Sequence, residues 1–261
     1  MKQFVKAYWK TLAFFVLVGL VGGFFTGLFM LETYPEEMRQ QLLESVEASG
    51  LGQVPVDILL GVMTAGQAAG YGLVLGALGI WLGKKIGLWR DVRRIEKNPL
   101  LAALVVAVVG GLGMILPDLL FFGKHSQVIM DSYAVKPSLP FVLASVTYGA
   151  VIEEVMLRLF MMSLLAFLLH KLFGRKNEMP ATAVLIAANV VAAVLFAASH
   201  MPATVMTIGT SPLIIFRCFA LNGGLGLLFG FLYRKYGLRY AMIAHGGCHI
   251  LSKLVWILFV S

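Results

Sequence analysis

Apolar stretches long enough to cross a lipid bilayer follow one another along this chain, and no soluble domain could bury them all. They cover residues 11–31, 56–82, 100–122, 138–169, 181–200, 213–233 and 240–260. Each approaches or exceeds the roughly 20 apolar residues needed to cross a hydrocarbon core of about 30 Å. Hydrophobic residues make up 59% of the chain and charged ones only 13%, which excludes an ordinary globular protein with one buried core. The fold class that follows is all-α: a polytopic transmembrane helix bundle of seven or eight spans. With no low-complexity linker and no internal repeat, residues 1–261 form a single integral membrane domain. The first stretch follows Lys2, Lys6 and Lys10, is longer than a signal-peptide core and ends without a clean small-x-small cleavage site. It reads as a retained first helix.

Basic residues gather on alternate loops. One set of loops holds the N-terminal lysines, then Lys84, Lys85, Arg90, Arg93, Arg94 and Lys97, then Lys171, Arg175 and Lys176, and finally Arg234, Lys235 and Arg239. The opposite set holds Glu32, Glu36, Glu37, Glu44 and Glu47, and has no charge between Met201 and Ser211. Because Lys and Arg resist translocation, the N-terminus is expected in the cytoplasm, the C-terminus outside, and the protein in the plasma membrane. The net charge of +8 reflects that asymmetry, so no nucleic-acid partner is inferred. Cys218 and Cys248 fall inside apolar stretches and form no CxxC pair. They receive no redox role.

Glycines at helical spacing, Gly19/Gly23/Gly27, Gly72/Gly76, Gly79/Gly83 and Gly226/Gly230, predict close helix–helix packing. Between Glu36 and Glu47, Met38, Leu42 and Val46 recur every fourth place, which predicts a short amphipathic helix on the outer surface.

The chemistry is concentrated in residues 138–260. Glu153 and Glu154 lie side by side in an apolar stretch, where a carboxylate is costly and marks a functional site. Arg158 follows Glu154 by four residues and shares its helix face. Glu153 is left without a local counter-ion, about 100° around the helix, and is the better proton acceptor of the two. His245 and His249 are also four apart, so both imidazoles face one way. His200 closes the fifth stretch, with Phe196 four residues before it. Carboxylates and histidines together suit water activation: one group takes the proton while others orient the water and stabilise the oxyanion. Lys253 shares the face of His245 and His249 and could tune them. Asp118, Arg217 and Asn222 read as packing or snorkelling residues.

These residues resemble a known family. Glu153-Glu154-Val-Met-Leu-Arg158 matches an EExxxR motif, Phe196-Ala-Ala-Ser-His200 an FxxxH motif, and His245-Gly-Gly-Cys-His249 stands in the place of an HxxxN/D motif. The set is similar to the CAAX protease and bacteriocin-processing (CPBP, or Abi) membrane proteins, relatives of the Ras-converting CAAX prenyl endopeptidase. The resemblance covers about residues 141–254. It implies intramembrane proteolysis of a short peptide or lipidated-protein substrate at the bilayer. Carried over by motif position, Glu153 is the base, His200 and His245 hold the water or the oxyanion, and Glu154 with Arg158 braces the helix or binds the substrate's carboxyl end. His249 departs from the motif's Asn or Asp, but histidine can also donate a hydrogen bond.

Two mechanisms stay open at this point. One is metal-free and needs no cofactor; the other holds zinc through His200, His245 and His249 with Glu153 as base. Two other functions compete with proteolysis: an immunity or adaptor protein of the same fold, and a proton-coupled transporter using a Glu/His relay. Depth poses a further question. His200 at the end of the fifth stretch and His245 near the start of the seventh share a water only if the fifth helix starts below the surface and runs on past Pro202 toward Ile208, or the seventh sits higher.

Overall fold

The computed structural model describes residues 2–91, 94–174 and 178–260. Three of the basic loop residues, Arg93, Arg175 and Lys176, lie outside the described residues. Every regular element among those described is a helix, the form in which a single segment satisfies its own backbone polar groups in lipid. Apart from a short helical turn at Gln127–Asp131, the helices are α1 (Lys2–Thr33), α2 (Glu36–Ala48), α3 (Val56–Lys85), α4 (Lys97–His125), α5 (139–173), α6 (Thr182–Ile208), α7 (Pro212–Tyr236) and α8 (Leu238–Val260). Of these, α1, α3, α4, α6, α7 and α8 are continuous runs long and apolar enough to cross a membrane. The predicted amphipathic segment is α2.

Helix α5 is the remaining, fourth apolar stretch, and it is not a uniform α-helix. Ser138 caps its start by accepting a hydrogen bond from the Phe141 amide (3.3 Å). Ser145–Glu153 and Val155–Met162 are then wound as π-helix, with Glu154 between them, before α-helix resumes at Ser163–Phe173. π-Winding is rare and concentrates at functional sites. α5 packs against α1, α3, α6, α7 and α8, so it is the central rod of the bundle.

The glycine spacings act as expected. A Cβ on Gly23 would lie 2.5 Å from the Thr64 carbonyl oxygen, and one on Gly27 2.6 Å from that of Leu60, so α1 and α3 meet backbone to backbone. Gly237, with φ +103°, makes the corner between α7 and α8, a conformation that costs other residues a steric penalty.

The basic segments converge on one end of the bundle. Lys84 donates to the Tyr8 hydroxyl (2.8 Å), Trp89 packs edge-on against Tyr8, and the Glu96 amide donates to Tyr240 (2.9 Å). At the opposite end Ser138 donates to Glu32 (2.5 Å), and Trp256 donates to the Tyr133 carbonyl (3.1 Å). There, buried Asp118 accepts from Tyr133 (2.8 Å) and pairs with Arg217, tying α4 to α7. Two of the residues predicted as packing groups, Asp118 and Arg217, are thus one ion pair.

Candidate active site

Every motif residue lies on the central rod or on a helix that packs against it. α5 supplies Glu153, Glu154 and Arg158, α6 supplies Phe196 and His200, and α8 supplies His245 and His249. The fifth stretch does not end at His200, as the apolar pattern predicts, but continues as helix through Pro202 to Ile208. Proline occupies the first turn of that continuation, where its missing N–H is tolerated. His200 therefore sits within the span, and the depth mismatch with His245 disappears. The Phe196 ring touches both, at 4.7 Å from the His200 ring and 5.9 Å from the His245 ring.

His245 is the hub. Its Nδ1 lies 2.9 Å from Glu154 Oε1 and its Nε2 3.9 Å from Glu153 Oε2. Its ring stacks on Phe229 at 4.5 Å and lies 4.9 Å from the His249 ring. A carboxylate only accepts, so Nδ1 of His245 carries the proton and donates to Glu154. The sequence separates the two glutamates by helix geometry alone. In the structure one imidazole bridges them, with Glu154 fully buried on one side and Glu153 22% exposed on the other.

Arg158 is sealed inside the bundle at 1% exposure. Its Nη1 stands 3.3 Å from Glu154 Oε1, an ion-pair distance without hydrogen-bond geometry. The guanidinium lies over Phe196 (4.3 Å) and Phe229 (5.5 Å), whose ring faces attract a cation. Gly226 leaves room for it, since a Cβ there would lie 3.2 Å from Arg158 Nη2.

Gly149, in the first π segment, lies directly beneath the two imidazoles. A Cβ at that position would be 3.2 Å from His249 Nε2 and 4.0 Å from His245 Nε2. Both Nε2 atoms therefore face the side of α5 from which Glu153 projects. His200 is half-buried, and its Nδ1 contacts the Phe196 carbonyl oxygen (2.8 Å), so its Nε2 is the nitrogen left for other partners. Among the described residues, no group of three or more His, Cys, Asp or Glu side chains has the arrangement of a metal site.

Residues 135–251 match the family model described as type II CAAX prenyl endopeptidase Rce1-like. That segment, somewhat under half of the chain, is what the chain shares with the family. The matched segment opens just before α5 and closes within α8, so it contains all the motif residues. No curated protein and no solved structure matches the chain. At the level of the family, the match supports a CAAX-type protease set among membrane-capable helices.

Sequence reasoning missed Gly149, Phe229 and the Glu154–His245 contact. None has a local signal, because each depends on how α7 and α8 dock on α5. Asn222 bonds the carbonyl of Cys218 within its own helix (3.0 Å) and takes no part. Lys253 does reach the site.

Proposed function

We propose that this protein is an intramembrane endopeptidase in which Glu153 activates a water for attack on a peptide bond, without a metal ion. The single observation that carries this reading is the Glu153–His245–Glu154 arrangement. Two acceptors, Glu153 Oε2 and His245 Nε2, stand 3.9 Å apart, too far for a direct hydrogen bond and suited to sharing one water. Glu154 fixes His245 by taking its Nδ1 proton, as a carboxylate orients a catalytic imidazole. Arg158 has no path to a substrate carboxylate at 1% exposure, which favours the bracing role over substrate binding.

In this mechanism Glu153 takes a proton from the water as its oxygen adds to the carbonyl carbon. The resulting oxyanion accepts a hydrogen bond from His249, while His200, whose Nδ1–H is held by the Phe196 carbonyl, offers its Nε2 as an acceptor beside the water. The C–N bond then breaks, and the proton held by Glu153 passes to the leaving amine, so the carboxylate is regenerated. The substrate is a short or membrane-tethered peptide, including lipidated ones.

The test is cleavage of prenylated and unprenylated peptide libraries by purified protein, beside Glu153→Ala and His200→Ala chains of equal folded yield. Loss of cleavage in both variants is expected, with Glu153→Ala the more severe. A well-folded wild type that cleaves neither library would defeat the protease reading.

A further inference from the structure

Lys253 is a charged side chain for which the mechanism above has no use, yet it is only 4% exposed and reaches the site. It lies one turn beyond His249 on α8. Its Nζ is 3.3 Å from His249 Nδ1 and sits over the Phe141 ring at 4.2 Å from the centroid. No carboxylate pairs with it among its described contacts. Holding a lysine in such a place is costly, and its polar partner is a ring nitrogen that a methionine or leucine would leave alone.

An ammonium has three donors and no acceptor. Against Lys253 as the ammonium, His249 Nδ1 presents its lone pair, and the ring proton of neutral His249 sits on Nε2. The neighbouring ring is set the opposite way, because Glu154 holds the proton of His245 on Nδ1. Two imidazoles one turn apart thus turn their Nε2 edges, in opposite protonation states, to the same place above Gly149: His245 Nε2 accepts, and His249 Nε2–H donates. A water being deprotonated needs an acceptor, and the oxyanion it creates needs a donor.

We infer that Lys253 is a positioning residue that fixes the Nε2–H tautomer of His249, so that the ring donates to the oxyanion. The inference rests on the protease reading for its function, but the tautomer itself does not. Lys253 touches neither substrate nor water; it acts through His249.

Two measurements test it. The first is 15N NMR of the 15N-histidine-labelled protein in nanodiscs, with the His249 signals assigned by their loss in His249→Asn. The expected result is an Nε2–H tautomer in the wild type that gives way to a mixture or to Nδ1–H in Lys253→Met. An Nδ1–H ring in the wild type, or a tautomer unchanged by Lys253→Met, overturns the inference. The second is a double-mutant cycle on cleavage of a quenched farnesylated peptide. Lys253→Met should lower kcat by about 100-fold, the scale of losing one oxyanion donor, with KM little changed. In the His249→Asn chain, whose amide donor has no tautomer to set, the same change should add no more than about twofold. Losses that simply multiply would overturn the coupling. A wild type that cleaves nothing defeats the protease reading instead, and the NMR result still decides the tautomer.

Discussion

Glu154 shows how much one side chain can carry when it is fully buried. It accepts from His245 Nδ1 and balances Arg158, while its own Oε2 has no hydrogen-bond partner. Replacing it by glutamine removes the charge that both neighbours face. The Glu154→Gln chain is expected to lose about 3–5 kcal/mol of stability, typical of breaking a buried pair and stranding the other charge. Its cleavage should fall as well, because His245 loses the group that holds its tautomer. Thermal unfolding in detergent and kcat on a farnesylated peptide read the two effects separately; an unchanged melting temperature would refute the bracing role. Glu153, Glu154, Arg158, His200, His245 and His249 stand out in the sequence as candidates, since ionisable residues within apolar runs are conspicuous. Their pairing does not. The 2.9 Å contact from Glu154 to His245 links residues 91 positions apart, and nothing local to either encodes it.

Among the elements, the long apolar helices were legible to within a few residues at most of their ends, because length and hydropathy fix what can lie in lipid. Two departures have physical causes. The fifth stretch runs past Pro202 because proline in a first turn does not end a helix, and hydropathy alone cannot see that. The π segments of α5 were invisible because winding depends on what packs around the rod. They bear on chemistry through Gly149, where the rod passes beneath His245 and His249. Gly149→Ala would place a methyl group 3.2 Å from His249 Nε2, tighter than ordinary contact, in the place where the reacting groups meet. The expected outcome is a fall in kcat of up to about 100-fold, the scale of a displacement near 1 Å in a reacting group, with the helical circular dichroism retained. Full activity in Gly149→Ala would show that the two Nε2 atoms do not share a working space.

At the scale of the whole molecule, charge asymmetry and the depth of the site combine into a statement about access. The basic loops converge on the end where α8 begins at Leu238. His245 lies seven residues further on, about 10 Å along the helix axis at 1.5 Å per residue. If Lys and Arg keep that end in the cytoplasm, the site lies in the inner half of the bilayer, and substrates must approach from the cytoplasmic leaflet. Two labelling positions test the orientation. Ser49 and Arg94 are both exposed, one in the loop after the acidic helix α2 and the other in a basic loop, while the native Cys218 and Cys248 are buried. In intact cells, a membrane-impermeant maleimide should label Ser49→Cys, and Arg94→Cys only after permeabilisation. A farnesylated peptide held outside the same cells should remain uncut, whereas inside-out vesicles should cleave it. Labelling in the reverse order would invert the topology, and with it the side from which the bilayer delivers substrate to Glu153.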